Sequence, residues 1–138
     1  MRSIRAECGF TLIELIMVIV MIGILAVYAA AKSPGNIMEL RSKSDQLAMD
    51  IRQTQALAMS NTGSGDYTIL RTATDTYEIR DPLGTTLSTA TLSGVTLSNF
   101  TVTFGGRGEP TTGATTITLT MGTSTATVEV VATTGLVR

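Results

Sequence analysis

Glu14 is the residue whose position most needs a chemical explanation. It lies inside an apolar run that begins at Phe10 and continues to about Ala31. A carboxylate at the centre of a membrane costs roughly 2.5 to 3.5 kcal/mol on insertion scales, and less near an end, so a cationic partner is expected for it. Other chemistry is thinly provided. Histidine is absent and Cys8 is the only cysteine. The commonest general base and metal ligand are therefore missing, and neither a Ser/His/Asp nor a Cys/His site can be assembled. No carboxylate pair stands out either, so no enzymatic activity, metal or cofactor is expected. Gly105-Gly106-Arg107-Gly108 is glycine-rich but lacks the Gly-Lys-Ser/Thr close of a phosphate loop and opens no helix; it reads as a hairpin loop. Asn99-Phe100-Thr101 fits a glycosylation sequon but lies inside an expected strand.

The stretch Gly9-Phe10-Thr11-Leu12-Ile13-Glu14-Leu15 gives Glu14 a context. It resembles the processing site of type IV pilins and of the pseudopilins of type II secretion. The resemblance implies a cytoplasmic leader over residues 1–9, cut by a prepilin peptidase between Gly9 and Phe10. It also implies N-methylation of the new terminal Phe10. Glu14 then corresponds to the family's assembly glutamate, which pairs with the terminal ammonium of a neighbouring subunit. The physics is compatible with that role. Phe10 and Glu14 are four apart and share a helix face, and opposite charges from adjacent chains neutralise each other in a low-dielectric setting. The plain alternative is a signal anchor with Glu14 at the headgroup level.

The 138 residues bound one small domain plus a membrane segment, with 10 basic and 11 acidic side chains. Loss of the leader would remove Arg2, Arg5, Glu7 and Cys8, leaving a slightly more acidic chain without a thiol. Residues 10–31 are expected to form a transmembrane and assembly helix, since about 22 residues at roughly 1.5 Å each span about 33 Å. Arg2 and Arg5 before the run, and Lys32, Arg41 and Lys43 after it, leave orientation undecided by charge. The resemblance implies a single pass of the inner membrane, with the globular part outside the cytoplasm. Gly23 matches a glycine common in pilin helices, or serves close helix packing. The proline often found later in that helix is missing, with Ala31 near its place, while Pro34-Gly35 should break or kink the chain.

Residues 32–62 are expected to continue as an amphipathic helix, with its apolar repeat at Ile37, Leu40, Leu47, Ile51 and Ala58. Residues 63–138 change character and read as an antiparallel β domain rich in Thr, Val and Gly. Strands are expected at Tyr67–Arg71, Thr76–Arg80, Val95–Phe104, Thr115–Met121 and Ala126–Ala132, with a short last strand at Leu136–Arg138. Asp81-Pro82-Leu83-Gly84 reads as a turn, and residues 87–94 as a loop or an edge strand. The expected fold is α+β, a long N-terminal transmembrane helix packed on a small antiparallel sheet or sandwich.

The C-terminal half adds Val102-Thr103-Phe104, the glycine turn with Arg107, Ile117-Thr118-Leu119 and the close Val128 to Arg138 through Thr134-Gly135. This pattern is similar to the GspH/FimT-type minor pseudopilins. It implies a structural subunit of a type II secretion pseudopilus or a type IV pilus, in the tip or initiating complex, with other pilins and the membrane as partners. Some FimT-like members bind DNA through a Gly-Arg-x-Arg tail. Here the corresponding segment is Gly135-Leu136-Val137-Arg138, so only Arg138 matches, and Arg107 is the other candidate contact. From Asp66 onward acidic residues outnumber basic ones, whereas phosphate binding needs clustered Lys and Arg. A membrane-anchored extracellular binding module remains the third reading.

Overall fold

The computed structural model describes residues 11–31, 35–61, 63 and 65–138, with backbone alone for 29–31. The expected cleavage site, Gly9 and Phe10, lies outside the described residues, as does Pro34. The chain divides into two compact units, one within residues 1–34 and one of Gly35–Arg138.

The first unit contains α1, Leu12–Ala31. Thr11 precedes it, and its carbonyl accepts the first turns' bonds from Glu14 N at 3.1 Å and Leu15 N at 3.3 Å. Every described side chain of α1 is exposed, from Leu12 at 77% to Tyr28 at 61%. Among the described residues no helix is long and apolar enough to cross a membrane. The membrane span expected over residues 10–31 includes Phe10 and the side chains of residues 29–31, which lie outside the described residues.

The second unit opens with α2, Gly35–Ser60. Gly35 begins this helix, within the span expected over residues 32–62. Leu40, Leu47, Ala48, Ile51, Thr54 and Ala58 form its buried stripe. Thr54 is the polar member, and its hydroxyl donates back to the Asp50 carbonyl at 2.8 Å. Ile37, expected on that stripe, is 52% exposed. It lines an open cleft with Leu40, Arg41 and the hairpin residues Ser124 to Ala126. The helix ends at Asn61, whose amide donates to Leu57 O at 3.2 Å and whose side chain donates to the Tyr67 hydroxyl at 3.0 Å.

Among the described residues seven strands follow, in two antiparallel sheets. β1 (Tyr67–Arg71), β2 (Thr76–Arg80), β3 (Thr86–Thr91) and β5 (Thr101–Phe104) form one, in the order β3-β2-β1-β5. β4 (Thr96–Leu97), β6 (Thr115–Met121) and β7 (Ser124–Val130) form the other, in the order β4-β6-β7. The inward residues alternate with period two: Ile69, Tyr77, Ile79, Val102 and Phe104 from the first sheet, Ile117, Leu119, Val128 and Val130 from the second. α2 packs on β1, β5, β6 and β7, so one helix covers parts of both sheets. The α+β class with a helix on antiparallel sheet is as expected.

Three strand assignments need correction. The single strand expected over Val95–Phe104 is two strands in different sheets. Ser98 N donates to Thr118 O at 2.8 Å, on the β6 side, whereas Phe100 O accepts from Arg71 N at 3.1 Å, on the β1 side. The alternation slips phase at this crossing, from buried Val95 and Leu97 to buried Phe100, Val102 and Phe104. β7 begins at Ser124, two residues before the expected Ala126, because Gly122-Thr123 is a two-residue hairpin closed by the pair Met121 and Ser124. Gly122 supplies the positive φ of 59° that such a turn needs at its first position. The last expected strand survives only as a bridge between Val130 and Val137. The undecided stretch 87–94 resolves into edge strand β3, residues 86–91, and the turn after it.

Candidate assembly and binding surfaces

Glu14 occupies the first turn of α1 and is exposed. Its position suits the positive end of the helix dipole. Thr11-x-x-Glu14 has capping-box spacing, a cue the sequence reading did not use. Around Glu14 the exposed neighbours are Leu12, Ile13, Leu15 and Ile16. An accessible carboxylate thus sits at the start of an apolar rod. That arrangement can accept a cation from a neighbouring chain while the surrounding side chains exclude water.

The two candidate DNA contacts lie on separate turns. The loop after β5 closes through Gly108 N to Gly105 O at 2.8 Å and Gly105 N to Glu109 O at 3.1 Å. Arg107 is exposed at its tip and lines an open groove of about 580 Å³ together with Asp66 and Glu109. Both carboxylates point at Gly105, where an added Cβ would stand 3.8 Å from Asp66 and 3.9 Å from Glu109. Arg138 donates to the Glu129 carboxylate at 2.9 Å. The hydrogen bond first, and the paired charge second, hold the Glu129 carboxyl below its ordinary range. Each arginine therefore shares its surroundings with acidic groups. Arg71 donates to Ala73 O and Leu97 O, Arg52 to Val137 O, and Arg80 pairs with Glu78 at 2.9 Å.

The glycines of these turns have a packing role. Gln55 on α2 donates to Gly108 O at 2.7 Å and to Thr134 O at 3.3 Å, tying both turns to the helix. Gly135 has a φ of 64°. A Cβ there would lie only 2.4 Å from Gln55 Nε2 and from Gly108 O, so the close approach requires glycine. The C-terminal pattern singled out in the sequence is thus used to nest two turns against α2.

One polar pair was not legible in the sequence. Tyr77 is 1% exposed, and its hydroxyl donates to Asp50 Oδ2 at 2.5 Å. Burial, then the bond to Asp50 and its negative charge, push the Tyr77 phenol well above its ordinary value. Asp50 reads in the sequence as one of several polar α2 residues. Only the reach of Tyr77 from β2 to the helix gives it this buried partner. Among the described residues no group of acidic or sulfur side chains could hold a metal ion.

Neither a curated protein nor a solved structure matches this chain. Residues 4–30 match the family model described as the prokaryotic N-terminal methylation motif, so this stretch is similar to a type IV pilin-like prepilin leader.

Proposed function

We propose that this chain is a minor pilin or pseudopilin of the GspH/FimT type, a structural subunit of a type II secretion pseudopilus or a type IV pilus. The methylation motif over residues 4–30 carries the reading. In this proposal a prepilin peptidase cuts between Gly9 and Phe10 and methylates Phe10. The subunit is held in the inner membrane by residues 10–31, with the globular unit outside the cytoplasm. Glu14 then takes the terminal ammonium of an adjacent subunit, and the exposed apolar side chains of α1 pack among neighbouring helices. The subunit's work is assembly, and it performs no reaction of its own. DNA is not part of the proposal, because Arg138 is engaged by Glu129 and Arg107 shares its groove with two carboxylates.

Mass spectrometry of the chain recovered from membranes tests processing directly. The expected terminus is Phe10 bearing one added methyl group; an intact leader in a functional chain would overturn the proposal. Glu14→Val should leave processing unchanged while lowering recovery of the chain with its partner subunits. Undiminished co-assembly would remove the assigned role of Glu14.

A further inference from the structure

Gln55 and Met59 stand one turn apart on α2 and share a helix face. Both meet Gly108, a buried glycine of the turn after β5. A Cβ on Gly108 would stand 2.8 Å from Met59 Sδ and 3.3 Å from Gln55 Nε2. The thioether sulfur and the amide nitrogen therefore lie over the same bare Cα, each within 3.3 Å of one point. The amide has two N–H groups to give. One goes to Gly108 O at 2.7 Å and the other to Thr134 O at 3.3 Å. The second is longer than an ordinary N–H···O bond of about 2.7 to 3.2 Å, so it is the weaker hold.

Met59 is 45% exposed, open enough for a small oxidant, whereas Met121 is buried. Met38 and Met49 are more exposed still, but they line a separate cleft on α2. Met59 is thus an accessible methionine whose sulfur sits beside the brace between two turns far apart in the chain.

We propose that Met59 is an oxidation site, and that its sulfoxide draws the second Gln55 N–H away from Thr134 O and loosens the C-terminal turn from α2. The oxidant is a hydroperoxide, hydrogen peroxide in the simplest case. A sulfur lone pair attacks one peroxide oxygen and the O–O bond breaks. That oxygen stays on sulfur, and the other leaves as water with both protons. A thioether is a weak acceptor, whereas the sulfoxide is polar and accepts strongly. Its oxygen competes for the longer of the two Gln55 bonds, and the shorter bond to Gly108 O stays. The C-terminal turn keeps Gly135 N to Val131 O at 2.8 Å and Arg52 to Val137 O at 2.9 Å, so it loosens without detaching. Reduction by a methionine sulfoxide reductase restores the thioether and the first arrangement. The inference rests on packing within the unit Gly35–Arg138 and does not depend on the proposed assembly role.

The test treats the full-length chain in detergent micelles with hydrogen peroxide and locates sulfoxides by peptide mass spectrometry. Amide hydrogen exchange is then read over residues 131–136 and over residues 105–109. Met59 should be oxidised together with Met38 and Met49. Exchange over 131–136 should become about 2- to 10-fold faster, the scale of one lost neutral hydrogen bond, while 105–109 stays unchanged. Sulfoxide reductase should reverse the change. Met59→Leu keeps an apolar contact that cannot be oxidised, so peroxide should leave its exchange over 131–136 as it was. The double variant Met38→Leu/Met49→Leu leaves Met59 intact and should respond as the unaltered chain does. An unoxidised Met59, an unchanged rate over 131–136 once Met59 is oxidised, equal acceleration of both turns, or the same acceleration in Met59→Leu would each overturn the proposal.

Discussion

At the residue scale, the Tyr77–Asp50 bond and Gly135 are the positions where a small change should be felt most. Removing the hydroxyl in Tyr77→Phe takes away a bond to a charged acceptor, and stability should fall by about 1.5 to 3 kcal/mol. The same variant has a pH signature. The phenol's ordinary value is 10.0 and the folded state raises it, so its contribution is intact below pH 10.0 and is lost as pH rises beyond it. Chemical denaturation at pH 9 and pH 11 should show a smaller alkaline loss in Tyr77→Phe than in the unaltered chain. Equal losses would mean that other groups set the alkaline limit. Gly135→Ala forces a methyl against Gln55 and the Gly108 carbonyl at a positive φ. It should lower the thermal midpoint, whereas the open Gly113→Ala, at a similar φ of 83°, reports backbone strain alone. A drop no larger at Gly135 than at Gly113 would remove the close-packing role.

At the element scale, α2 is the member on which both sheets depend. Leu47 and Ile51 are fully buried in the core. Truncating Leu47 to Ala should cost about 2 to 5 kcal/mol through lost transfer energy and the cavity left behind. The helix was legible because its apolar residues recur at helical spacing and glycines and asparagine punctuate its end. β1, β2 and β6 were equally legible from their period-two alternation. The crossing at Ser98–Phe100 was not read, although the phase slip between Leu97 and Phe100 records it. A run of alternating residues does not say which sheet its hydrogen bonds enter; here Thr118 and Arg71 compete for successive backbone groups and divide the strand.

At the scale of the whole molecule, the unit Gly35–Arg138 has its own core of aliphatic and aromatic side chains. A chain starting at Gly35 should therefore unfold cooperatively and show mixed helix and sheet by circular dichroism. A disordered spectrum would mean that the first unit is needed for folding. The charge distribution makes a further prediction about partners. Titration of that chain with double-stranded DNA should show no binding at low salt, where phosphate contacts are strongest. Salt-sensitive binding lost in an Arg107→Ala/Arg138→Ala double variant would instead assign DNA uptake to this surface.

The sequence by itself determined the leader motif, the position of Glu14 near the start of an apolar helix, the exclusion of histidine and cysteine chemistry, and the change from helix to sheet. These are local properties, written in residue type and spacing over a few turns. Only the tertiary structure decided that Asp50 turns inward to Tyr77, that Gly108 and Gly135 meet over Gln55, and that Arg138 is held by Glu129. Each of those depends on contacts between residues far apart in the chain, and hydrogen bonds across such distances are chosen by packing geometry, which no local pattern encodes.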